Sequence, residues 1–101
     1  MVEFVRVAGT ADVQPGHGMV AEVNGKTVAV FNVDGAFHVV DNTCLHRGGP
    51  LGEGEVEGSV VTCPWHGWQF NVATGACVNN PSGKVQVYQV KVEGSDVKAL
   101  L

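Results

Sequence analysis

The chain has 101 residues, 45% hydrophobic and 16% charged, which suits one globular domain with a modest core and excludes two. Ten Asp and Glu stand against six Lys and Arg, a formal net charge of −4, which argues against nucleic acid or an anionic membrane surface as partner because both attract basic patches. No apolar run approaches the length of a bilayer span, and Met1-Val2-Glu3-Phe4-Val5-Arg6 lacks the apolar core of a signal peptide, so a cytoplasmic location is the default expectation.

Helical periodicity is hard to find. Valine and glycine dominate and turn signals recur at short intervals, so the chain reads as all-β. Phe4-Val5-Arg6-Val7-Ala8 is a first strand, and residues 9–18, with Pro15, Gly16 and Gly18, form a loop. Met19 to Val23 and Thr27 to Val33 flank Asn24-Gly25, and Asp34-Gly35 leads into Phe37 to Asp41. Both dipeptides tolerate positive φ, so the three strands should form a hairpin-linked meander. From Asn42 to about Val72 the chain reads as an insertion, with short strands at Ser59 to Thr62 and Gln69 to Asn71. Glu53, Glu55 and Glu57 alternate with small residues and read as a solvated rim. Thr74-Gly75 is a turn, and Asn79-Asn80-Pro81-Ser82-Gly83 is a polar loop. Val85 to Val92 alternates with period two over eight residues, so its valines should face the core. Glu93 to Asp96 turns the chain into a closing strand, Val97 to Leu100.

Two stretches inside the insertion carry the chemistry. They are Cys44-Leu45-His46-Arg47-Gly48-Gly49-Pro50-Leu51-Gly52 and Cys63-Pro64-Trp65-His66-Gly67-Trp68, and sixteen residues separate His46 from Cys63. Each offers one thiol and one imidazole on a loop whose glycines permit tight folding, which describes a metal site. A tetrahedral Cys2His2 zinc site takes the same four donors, but zinc spacings usually pair Cys with Cys and His with His. His17 and His38 have no second ligand near them in sequence and read as non-functional. Cys77, in the apolar stretch Thr74 to Val78, reads as a small buried hydrophobe. An unpaired third cysteine fits a reducing compartment.

The mixed pattern Cys-x-His, sixteen residues, Cys-x-x-His resembles the Rieske family, in which two histidines replace two cysteines on one iron of a [2Fe-2S] cluster. The flanks resemble it too: His46-Arg47-Gly48 with Leu51, Cys63 through Trp68, and Phe70-Asn71-Val72-Ala73-Thr74-Gly75. The resemblance implies an antiparallel β-barrel or sandwich, about residues 1–42 and 73–101, with an inserted rubredoxin-like cluster-binding subdomain at about 43–72. It also implies that Cys44 and Cys63 bind the buried iron of one [2Fe-2S] cluster and that His46 and His66 bind the outer one. Pro81 matches the proline loop that packs over the cluster in that family.

High-potential respiratory members carry a cysteine in each loop for a disulfide. They also place a serine two residues, and a tyrosine four residues, after the second histidine. Here the matching positions hold Arg47-Gly48-Gly49 and Trp65, then Trp68 and Phe70, so the disulfide and both hydroxyl donors are missing. What remains resembles the soluble Rieske ferredoxins of multicomponent oxygenases. That implies a monomeric one-electron carrier, not an enzyme, of low potential for the family. Its partners would be an NAD(P)H-dependent flavin reductase and a terminal aromatic-ring-hydroxylating oxygenase. Those partners would dock at the tip formed by Gly48, Gly49, Pro50, Trp65, Gly67 and Pro81. A small subunit of an NADH-dependent nitrite reductase, or a zinc-stabilised interaction module, is the alternative.

Overall fold

The computed structural model describes residues 3–23, 25–42, 51–64, 67–78 and 83–100. Ten strands are found there: β1 (Phe4–Gly9), β2 (His17–Val23), β3 (Lys26–Val33), β4 (Ala36–Asp41), β5 (Glu55–Glu57), β6 (Val60–Thr62), β7 (Gln69–Asn71), β8 (Val87–Tyr88), β9 (Val90–Glu93) and β10 (Asp96–Leu100). A single 3-10 turn, Leu51–Glu53, is the one helical element among the described residues. The strands make three antiparallel sheets ordered β1-β10-β9, β2-β3-β4-β8 and β5-β6-β7, so the all-β expectation holds.

The middle sheet explains the architecture. Successive side chains of a strand point to opposite faces. In β3, Val28 and Val30 enter one core with Val7, Val39, Val97 and Ala99, while Ala29 and Phe31 enter another with Val40, Leu51, Val61 and Phe70. All four β3 residues are fully buried. A strand covered on both faces has no polar side, which is why β3 reads as an unbroken apolar run. The β1-β10-β9 sheet covers one face of the middle sheet, and the β5-β6-β7 sheet packs toward the other. The meander is as expected: β2 pairs β3, and β3 pairs β4 with Val33 opposite Ala36 across the Asp34-Gly35 turn. Both turn residues have positive φ, 50° and 91°. Asn24 lies outside the described residues, although the hairpin that it would turn is present.

Two expectations need correction. The run Val85 to Val92 is not one strand. It divides into β8, which pairs with β4, and β9, which pairs with β10 in a different sheet. Gln89 sits at the transfer, where its carbonyl accepts the Leu100 N–H at 2.9 Å. The alternating valines therefore do not share one core; Val85 is 3% exposed and Val92 47%. Secondly, His17 opens β2, opposite Asn32, and is not in a loop. The glutamate stretch is solvated as expected, and it also contains a strand. Glu55 and Glu57 are exposed on the edge strand β5 while Val56 packs on the core, and charge on an edge discourages pairing with another chain.

Candidate metal centre

Cys63 follows β6, whose Thr62 pairs with Gln69 of β7. The Cys63 N–H donates to the Trp68 carbonyl at 2.7 Å, and the Gly67 N–H donates back to the Cys63 carbonyl at 3.0 Å. The Gln69 carboxamide also donates to the Thr62 hydroxyl at 3.3 Å. Cys63, Gly67 and Trp68 thus close the end of a hairpin. Gly67 has φ 74° with open space beside it, a conformation that a side chain would strain. The free thiol of Cys63 points into the fold and the residue is only 1% exposed, in the core that holds Phe31, Leu51 and Phe70. Trp68 is half-buried against the same core.

The first loop enters and leaves the fold at Asn42 and Leu51. The Asn42 carbonyl accepts the Leu51 N–H, and its side-chain Oδ1 accepts the Gly52 N–H, both at 2.8 Å. Leu51 is fully buried in the core of Cys63. A Cβ on Gly52 would lie 2.7 Å from the Met19 carbonyl oxygen, so glycine lets this stretch rest directly on β2. Nothing in the sequence singled out Asn42; a polar residue after a strand reads as the start of any loop.

Of the four residues expected to bind metal, Cys63 is described, while Cys44, His46 and His66 lie outside the described residues. So do Gly48, Gly49, Pro50, Trp65 and Pro81 of the expected tip; Gly67 is described and exposed. Among the described residues no group of three or more His, Cys, Asp or Glu could hold a metal, so a metal site at Cys63 needs donors from outside them. The donor chemistry fits an iron–sulfur centre. A buried thiol on a glycine-bearing hairpin offers soft sulfur away from water.

The other candidates separate cleanly. Cys77 is buried, 3% exposed, and bridges Phe70, so it packs as a hydrophobe. His38 lies on β4, where burial pushes its pKa below the ordinary 6.5. Glu53, Glu55 and Glu57 line a polar groove of about 510 Å³ together with His17 and Thr62, placing three exposed carboxylates on the flank of the hairpin. No described helix is long and apolar enough to cross a membrane.

Known proteins share this arrangement. The ferredoxin component of the naphthalene 1,2-dioxygenase/salicylate 5-hydroxylase systems of a Ralstonia species is 34% identical over 95 residues, covering 93% of this chain and 91% of the relative. A chain in the complex of reduced oxygenase and oxidized ferredoxin in carbazole 1,9a-dioxygenase superposes with a TM-score of 0.85 at 33% identity, covering 94% of this chain and 99% of that one. A Mycobacterium tuberculosis protein assigned as an NADH-dependent nitrite reductase small subunit superposes with a TM-score of 0.90, covering 100% of this chain and 96% of that one. At 23% identity, that likeness shows the fold alone. Residues 3–91 match the sequence profile of the Rieske [2Fe-2S] domain, the span that contains both Cys/His stretches and the whole core around Cys63. The chain belongs to the Rieske [2Fe-2S] domain family.

Proposed function

We propose that this protein is a one-electron carrier that takes electrons from an NAD(P)H-dependent flavin reductase and delivers them to a terminal, aromatic-ring-hydroxylating oxygenase. Cys44, His46, Cys63 and His66 would hold one [2Fe-2S] cluster, the thiolates on the inner iron and the imidazoles on the outer. Such a group supplies reversible one-electron redox chemistry, with a potential raised by the neutral imidazoles relative to an all-thiolate cluster. The observation that carries the reading is the buried Cys63 thiol, held at the closed end of the β6–β7 hairpin inside a Cys-x-x-His motif. The relatives support the partner assignment, being ferredoxin components of dioxygenase systems.

On this reading the chain divides into a basal frame, about residues 1–42 and 73–101, and a cluster-binding unit, about 43–72. The frame keeps the inner donor dry and the hairpin fixed. The imidazole edge at Gly67 and the undescribed tip residues is where partners dock, and the carboxylates of Glu53, Glu55 and Glu57 steer a basic one. The carrier would act as a monomer in the cytoplasm. Metal and sulfide analysis of protein produced with ample iron tests the proposal. Two irons and two acid-labile sulfides per chain are expected. Stoichiometric zinc without sulfide would replace it with the zinc-module alternative.

A further inference from the structure

We infer that Asn42 is the positioning residue of the first ligand loop: its two oxygens fix the neck through which residues 43–50 leave and rejoin the fold. The inference rests on the proposed ligand set, because it is the presentation of Cys44 and His46 that the neck would govern. Asn42 follows β4 and is 8% exposed. Its N–H reaches the Thr27 carbonyl at 3.3 Å, tying it to the start of β3. Its carbonyl and its Oδ1 then take two successive N–H groups, those of Leu51 and Gly52, at 2.8 Å each. One such bond would hold the returning 3-10 turn but leave it free to tilt. Two, from oxygens on backbone and side chain of the same residue, fix position and tilt together. The Oδ1 bond is buried, so water cannot take its place when the oxygen is removed. Leu51, on the other side of the neck, packs in the core that contains Cys63. A shift at the neck is therefore felt by the ligand on the second loop as well.

Asn32 supplies an internal comparison. It is also a buried asparagine, 4% exposed, and its Oδ1 accepts the Gly35 N–H at 2.8 Å while its Nδ2 donates to the Val13 carbonyl at 2.8 Å. It braces the Asp34-Gly35 turn and the loop before β2, remote in sequence from either ligand stretch. Asn32→Ala removes two side-chain hydrogen bonds and Asn42→Ala the one to Gly52, so the control is the harsher loss; only Asn42 is joined to a ligand loop.

The experiment compares Asn42→Ala, Asn32→Ala and the parent as cluster-loaded proteins. It reads thermal midpoint, the EPR g values of the reduced state, and the rate of iron release to a chelator. Parent protein lacking iron and sulfide would sink the cluster reading itself, separately from this inference. With the cluster present, both variants should lose thermal stability, but Asn42→Ala alone should shift the g values and release iron about tenfold faster, equivalent to about 1.4 kcal/mol in the barrier. Unchanged g values and release rate in Asn42→Ala, or equal acceleration in Asn32→Ala, would overturn the assignment. Should Asn42→Ala fail to fold, Asn42→Asp decides, since it keeps an acceptor for the Gly52 N–H. Iron release at the parental rate supports the role of that oxygen, and release about tenfold faster removes it.

Discussion

Gly75 joins the end of the Asn71 turn to the strand segment before β8, and its replacement by alanine should be among the costlier single-methyl changes in the chain. Its φ is 80°, and its N–H donates to the Asn71 carbonyl at 2.7 Å while its carbonyl accepts the Val85 N–H at 2.8 Å. An added Cβ would lie 2.4 Å from the Val85 carbonyl oxygen and 2.7 Å from a Val87 methyl. The left-handed conformation costs an alanine about 1–2 kcal/mol. Overpacking against backbone adds about 1–3 kcal/mol, because the carbonyl cannot rotate away as a side chain would. The expected loss is about 2–5 kcal/mol, a large part of the roughly 5–15 kcal/mol that holds a small domain folded. Urea titration followed by far-UV circular dichroism measures it; at about 2 kcal/mol per molar urea, the midpoint should fall by about 1–2.5 M. Gly25→Ala is the control. That glycine has nearly the same φ, 79°, but nothing within 4 Å of the added carbon. It should lose only the conformational part. Equal losses at the two sites would refute the claim that Gly75 marks a close approach between the ligand-bearing hairpin and β8.

Three further outcomes follow from the same structure. The half-buried His38 resists protonation in the folded protein but takes a proton near its ordinary pKa of 6.5 when unfolded. Its contribution is therefore fully present above pH 6.5 and is lost as the pH falls below it, and urea midpoints of His38→Gln should fall less than the parent's between about pH 7.5 and 5.5; equal slopes would exclude His38 as the cause. Phe70→Tyr places a hydroxyl in the fully buried core that holds Cys63. A hydrogen bond to that sulfur should raise the potential from the low end of the Rieske range of about −150 to +300 mV. An unchanged potential with a stability loss of about 1–3 kcal/mol would mean that the hydroxyl has no partner. A parental potential above roughly +100 mV would contradict the missing-donor argument altogether. If the proposed partner docks through a basic surface, reversing Glu55 and Glu57 to lysine should slow electron transfer to it by about tenfold at low ionic strength, and weaken the salt dependence, as read by stopped-flow absorbance. Parental kinetics would remove the steering role.

Local chemistry was the legible part of this chain. Asp34-Gly35 marks its turn because positive φ is a property of the dipeptide itself, and the β6–β7 hairpin was visible as two short strand-like segments bracketing a Cys-x-x-His loop. The Cys/His spacing led to the right family for the same reason, since ligand geometry is imposed at short range. Sheet membership was not legible. Periodicity says that alternate residues of Val85 to Val92 point the same way; it does not say that the chain changes sheets at Gln89. Edge strand β5 was hidden because the glutamates that protect its edge also make it look like solvent-facing loop. Asn42 was invisible for a third reason: its partners Leu51 and Gly52 are brought to it only by the completed loop.

The pairing of β1 with β10 sets Phe4 opposite Leu100 and Gly9 opposite Asp96, so the outer sheet is stitched from the two ends of the chain. Contacts of such sequence separation carry the largest loop-closure entropy and slow folding. The hairpins β2–β3, β3–β4 and β6–β7 are local and can form while β10 is still being synthesised. The core that takes in Cys63 includes none of β1, β9 or β10, whereas the opposite core depends on Val97 and Ala99. On the ribosome, the part of the molecule nearest the thiol can therefore condense before β10 emerges. Until then, β1 and the open face of the middle sheet remain an aggregation hazard that closure by the five-residue β10 removes.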